Sequence, residues 1–166
     1  MSFKRAILVV EDVLRSRYLY EHLLHQRVVA DFGEYNVGFE GGVAFYQKAM
    51  FQELIERQTL LNKSHNVVLY FEVERLDELE QDLRNHGCEF LHPIREQPWR
   101  QRVFRCYDYD HHILEIAEKM DDVFVRLSHE GLTINEISSA TGGIPIEEIA
   151  SHIAQDAAHD KSSDVS

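Results

Sequence analysis

The chain has only two cysteines in 166 residues, Cys88 and Cys106. They do not form a CxxC redox or zinc pair, so each is read as a free, buried thiol. No apolar run approaches the ~18 residues of a membrane span. The opening MSFKRAILVVED ends its apolar stretch at Glu11 and Asp12, too early for a secretory signal. Together these scarcities set the expectation of a cytoplasmic protein without a membrane partner. Basic residues are scarce too: 17 Lys and Arg stand against 29 Asp and Glu, a net charge of −12. A phosphate backbone requires basic patches, so no nucleic-acid partner is expected. There is no Gly-rich phosphate loop, and no Ser-His-Asp or Cys-His constellation follows from sequence order.

What is present is the composition of a globular domain, 44% hydrophobic and 28% charged, at a length that fits one domain with an appendage. A weak internal repeat runs through it. The first half opens with a strand at Ala6–Val10. Asp12 then caps a helix through about His25, in which Leu14 and Tyr18, Leu19 and Leu23, and Tyr20 and Leu24 sit four apart. Strands follow at about Arg27–Phe32, Asn36–Phe39 and Val43–Gln47, with Gly41 and Gly42 as the tight turn between the last two. Ala49–Leu61 reads as a connecting helix. The second half repeats the order. It has a strand over 67–73, a helix from Leu76 to His86 with an apolar stripe of Leu76, Leu79 and Leu83, and Gly87 in the C′ position. Strands follow at Glu89–Leu91, Arg102–Tyr107 and Ile113–Ala117. Each half is βαβββ.

Residues 121–155 read as an acidic helical appendage. Gly131 stops a first helix, Thr133 and Glu136 make a capping box for a second, and Pro145 opens a third. The cadence resembles a DNA-binding helix–turn–helix. However, residues 121–166 carry nine acidic side chains against two basic ones, Arg126 and Lys161, and would repel phosphate. Residues 156–166 lack apolar content and are expected to be disordered.

Four stretches carry a family resemblance: Leu8–Asp12 (LVVED) with Tyr18 and Tyr20; Gly38–Gly42 (GFEGG); Pro98–Arg105 (PWRQRVFR); and Asp108–Ile116 (DYDHHILEI). In this order the chain over about residues 3–118 resembles the glyoxalase / bleomycin-resistance / extradiol-dioxygenase superfamily, also called vicinal oxygen chelate. The resemblance implies an α+β fold of two βαβββ modules forming a curved mixed sheet around a cleft. That would make residues 1–118 the family domain, with the helical segment outside it. It also implies a homodimer and a small organic ligand.

Metal-dependent members of that family place a His or Gln near the start of a module's first strand and a Glu late in its last. Glu115 matches the last-strand carboxylate. The other positions fall on Arg5, near Val68 with His65 three residues earlier, and near Phe45–Gln47, where Gln47 alone can coordinate. The family's Asp-Pro-Asp-Gly turn is here Asp108-Tyr-Asp-His111, lacking the Pro and the Gly.

Within CYDYDHHILEIAE the two histidines do not complete a metal site with Glu115. His112 and Glu115 point to opposite faces of a regular strand, and His111 lies roughly 13 Å away along it. With Asp108–His111 as a four-residue loop, Phe104 stands opposite Glu115 and shares its face with Arg102 and Cys106; a bulge in the loop flips that register. A guanidinium from Arg5 or Arg102 is the expected counter-charge to Glu115, a carboxylate too costly to bury alone. Trp99, ahead of Arg100, Arg102 and Arg105, either stacks on a ligand or closes the core or a dimer contact. Phe39, Phe45, Tyr46 and Phe104 either line the cleft or fill the core.

The expected function is therefore small-molecule binding of the bleomycin-resistance type, without a complete metal site and with no cofactor. The ligand-binding cleft would comprise Glu115, Arg102, Arg5, Trp99, Phe104 and Gln47. The alternative is a metal-dependent lyase, isomerase or dioxygenase in which Glu115, with Gln47 or His65, holds a divalent ion. A third reading is a non-catalytic interaction module working through the acidic helices.

Overall fold

The computed structural model describes residues 2–163, with side chains described through Asp156. Among the described residues, eight strands and six α-helices follow in the order β1 (Ala6–Val10), α1 (Val13–Tyr18), β2 (Val28–Asp31), β3 (Asn36–Phe39), β4 (Val43–Gln47), α2 (Lys48–Leu54), β5 (Val68–Val73), α3 (Leu76–Asn85), β6 (Phe90–Glu96), β7 (Arg102–Tyr107), β8 (Ile113–Glu118), α4 (Met120–His129), α5 (Ile134–Ala140) and α6 (Ile146–Ser163). They make two four-stranded sheets, ordered β1-β4-β3-β2 and β5-β8-β7-β6. The identical order establishes the doubled βαβββ plan and the α+β class. In the first sheet β1 runs parallel to β4, from Ala6 beside Val43 to Val10 beside Gln47, and the other pairs are antiparallel.

Local chemistry explains most boundaries. The Asp12 carboxylate accepts the N–H of Arg15 and starts α1. The helix then loosens into a π-turn over Leu19–Leu23, closed by Leu24 N–H to Leu19 C=O. Gly41 and Gly42 both have positive φ, +86° and +89°, as the β3–β4 turn requires. The expected connecting helix ends early, at Leu54. Glu56 and Arg57 turn left-handed, and Arg57 N–H closes the end onto Gln52 C=O. Strand β6 is longer than expected, reaching Glu96 through Pro93. Strand β6 lies at a sheet edge, the place in a sheet where proline is tolerated.

Contacts divide the chain into two compact units. Unit 1 comprises Met1–Leu69, Gln81–Phe90 and Cys106–Leu114; unit 2 comprises Tyr70–Glu80, Leu91–Arg105 and Glu115–Ser166. The core of unit 1 centres on Tyr20, Phe39 and Phe45, all buried. Tyr20 and Phe45 meet edge-to-face at 4.8 Å, and Phe39 and Phe45 at 5.1 Å. Phe39 and Phe45, left open as cleft or core in the sequence, are core. Cys88 and Cys106 are free thiols, as expected. In unit 2, α4, α5 and α6 close on Val123, Phe124, Leu127, Ile137 and Ile149, all fully buried. The capping box of Thr133 and Glu136 is formed in both directions. Helix α6 continues to Ser163, past position 156 where the sequence reading placed a disordered end; residues 164–166 lie outside those described. Among the described residues, no helix is long and apolar enough to cross a membrane.

Candidate functional site

The turn between β7 and β8 sets the geometry of both candidate regions. His111 N–H reaches Asp108 C=O at 3.2 Å, and Asp108 N–H reaches His112 C=O at 3.0 Å. With His111 at φ +65°, this is a three-residue loop of a type I turn followed by one left-handed residue. The four-residue loop expected from the sequence would set Phe104 opposite Glu115. The shorter loop moves every pairing by one, so counting outward from 108 and 112 puts Arg105 opposite Glu115. His111 occupies the left-handed position that the resemblance assigns to glycine.

In unit 1 the Asp108 side chain is wholly buried and uses both oxygens. Oδ1 accepts the N–H groups of Asp110 (3.0 Å) and His112 (2.8 Å), tying the turn. Oδ2 accepts the Tyr20 hydroxyl at 2.9 Å and meets Nδ1 of His112 at 2.9 Å. Burial first, then the neighbouring carboxylate, pushes the Tyr20 hydroxyl well above its ordinary pKa. For His112, burial pulls the imidazole down, but the Asp108 hydrogen bond and the charges of Asp108 and Asp110 outweigh it. The net shift is upward. The sequence reading missed this array. Its one available signal was the repeated Asp at 108 and 110 ahead of a histidine.

In unit 2 Glu115 is answered by Arg105. Nε and Nη2 of the guanidinium both lie 2.6 Å from its Oε2, and Nη1 lies 3.0 Å from Nε2 of His92. A guanidinium was the expected counter-charge, but the residue differs. The corrected register puts Arg105 on the face of Glu115, while Arg102 is drawn to Asp77 at 2.7 Å and lies 3.9 Å from Glu118. Nearby, the Tyr70 hydroxyl donates to Glu72 and accepts from Gln101. Burial, then Glu72, pushes it up to about 12. Trp99 is partly exposed and donates its indole N–H to Gln101 at 2.9 Å. Phe104 has no exposed surface and packs as core, so it offers nothing to a ligand. In unit 1, the Arg5 guanidinium lies across the face of Gly38, over the space a Cβ there would need.

The donors named for a divalent metal are each engaged elsewhere. Glu115 holds Arg105. Gln47 caps α2, accepting the Met50 N–H at 2.9 Å and reaching Glu11 C=O at 3.4 Å. His65 shares its Nε2 with the Tyr107 hydroxyl. Among the described residues, no group of three or more His, Cys, Asp or Glu side chains is placed to hold a metal ion. A guanidinium on the carboxylate and an amide spent on a helix end do not fit a three- or four-ligand site.

Known proteins share this fold. A protein of unknown function from Agrobacterium tumefaciens str. C58 is 37% identical with a TM-score of 0.63, over 72% of this chain and 94% of that one. A glyoxalase-related enzyme from Fulvimarina pelagi is 20% identical with a TM-score of 0.62, over 72% and 89%. The fosfomycin resistance protein FosX from Mesorhizobium loti is 20% identical with a TM-score of 0.54, over 71% and 92%. No curated protein matches the chain. Residues 3–121 match the family model of the glyoxalase-like domain, and with the doubled βαβββ order this chain belongs to the glyoxalase-like family of the vicinal oxygen chelate superfamily.

Proposed function

We propose that the protein is a small-molecule-binding member of this family that works without a metal at Glu115. The observation that carries the reading is the Arg105–Glu115 pair. The carboxylate in the place of the family ligand is neutralised by a guanidinium at 2.6 Å, with His92 behind it. Both side chains are partly exposed, 26% and 18%, so the pair is within reach of a bound molecule. Arg105 offers a planar donor fork and Tyr70 a hydroxyl that stays protonated, so the region supplies donors to a ligand's oxygen atoms. The proposed cleft keeps Glu115, Arg102 and Trp99 from the sequence reading and adds Arg105, His92 and Tyr70.

The same reading includes a homodimer in the cytoplasm, with 1–118 as the family domain and 121–155 as an appended helical segment. Sedimentation at micromolar concentration reads the dimer. Metal analysis and calorimetry with divalent ions on purified protein test the central point. Sub-stoichiometric metal and no saturable uptake are expected. A stoichiometric ion lost on Glu115→Gln would instead place the protein among the metal-dependent lyases, isomerases or dioxygenases.

A further inference from the structure

Unit 1 contains a groove of about 450 Å³ that shares no residue with the Arg105–Glu115 pair. That volume suits a small organic ligand. One wall is apolar: Ile7 of β1, Leu60, Leu61 and Val67 of the segment before β5, and Ile113. Leu61 and Val67 are largely exposed, 79% and 52%, so apolar surface there lacks cover.

His112 faces this groove. Its ring is pinned on one side only, by Nδ1 on the buried Asp108 carboxylate, and Asp108 is held in turn by Tyr20 and by the turn's own N–H groups. Nε2 has no protein partner among the described residues, and the side chain keeps 22% exposure. The charge beside Nδ1 favours the imidazolium, consistent with the upward shift of the group. An imidazolium so held presents an Nε2–H donor to the groove with nothing to receive it.

Most other titratable groups of the groove have partners, Tyr109 among them through His86 C=O at 3.4 Å. Lys48 is bound to Glu11 at 2.6 Å, and Lys63 to Glu89 at 2.8 Å. Asp110 accepts the Glu11 N–H and the Ser16 hydroxyl. His65 bonds Tyr107, and His111 lies 3.9 Å from Glu89. With Glu11 and Asp110 on the rim, a multiply charged phosphate would meet two carboxylates, whereas a single carboxylate needs only the one donor.

We propose that this groove is a binding site for a small monocarboxylic acid, its apolar body on Ile7, Leu60 and Leu61 and its carboxylate on the Nε2–H of His112. Asp108 is a positioning residue, acting through His112. The site stands independently of the metal-free reading of Glu115.

The test is NMR titration of the full chain, labelled with nitrogen-15 at histidine, against phenylacetate and its neutral analogue phenylacetamide. Titrations are run at about pH 6 and about pH 8.5, either side of the imidazole range. Phenylacetate is expected to move the His112 Nε2 resonance and to bind at least about tenfold more tightly at the lower pH, where the ring is charged. At the lower pH phenylacetamide should bind more weakly than phenylacetate, and its own affinity should not change with pH. His112→Gln should remove the pH dependence of phenylacetate binding. If that variant fails to fold, the matched probes on the unaltered chain decide. Equal binding of the two probes, or no movement of the His112 resonance with phenylacetate, overturns the proposal, as does unchanged pH dependence in folded His112→Gln.

Discussion

Replacing Arg105 with methionine keeps an unbranched apolar stem and removes the charge that answers Glu115. The two 2.6 Å contacts are charge-assisted, each partner is less than one-third exposed, and His92 loses its neighbour at the same time. Fully exposed pairs contribute about 0–1 kcal/mol, and breaking a fully buried one costs about 3–5 kcal/mol. The intermediate burial puts Arg105→Met at about 2 kcal/mol. For a chain of this size that lowers the melting temperature by about 4–8 °C. Glu115→Gln, which keeps an acceptor for the guanidinium, should cost about 1 kcal/mol. A double-mutant cycle by urea denaturation then isolates the pair, with an expected coupling of about 1–2 kcal/mol. The scan repeated with excess divalent ion separates the two accounts of Glu115. Stabilisation by metal in the parent, abolished in Glu115→Gln, together with coupling below about 0.3 kcal/mol, would refute the guanidinium reading.

Other predictions follow from the β7–β8 turn and the helical segment. His111→Gly removes a left-handed strain of about 1–2 kcal/mol but adds unfolded-state freedom. A net gain of about 0.5 kcal/mol is expected, seen as a higher urea midpoint at unchanged slope. His112 is raised in the folded state, so its contribution is fully present below the ordinary imidazole value of about 6.5 and is lost as pH rises through its higher folded value. The stability difference between the parent and His112→Gln should shrink over that window; a difference that grows with pH refutes the sign. Thr133→Ala removes the hydroxyl half of the capping box, leaving the backbone N–H of residue 133 on Glu136, and should cost about 1 kcal/mol without changing the fold by circular dichroism. Leu127→Ala opens the core of the helical segment and should cost about 2–5 kcal/mol in thermal unfolding.

Much of the architecture was legible because it rests on local signals. Asp12, Gly41 with Gly42, Gly87 and Thr133 with Glu136 each act within a few residues of themselves, and the capping and turn chemistry appears where the sequence placed it. The early end of α2 was not legible. Nothing in AMFQELIERQTLL breaks a helix, and the left-handed Glu56 and Arg57 are held by a backbone bond rather than by their side-chain types.

Periodicity was enough for the repeat and the α+β class, because strand and helix periods are properties of neighbouring residues, while the family likeness rested on four short stretches, the last of them Asp108–Ile116. The partner of Glu115 was not within their reach. It depends on a one-residue difference in loop length between Tyr107 and His112, which turns a strand's side chains to the other face and exchanges Arg102 for Arg105. The same loop buries Asp108 against Tyr20, 88 residues away in the chain, and aims His112 into a groove. Such contacts arise only when distant segments pack, since a hydrogen bond depends on separation in space and not along the sequence.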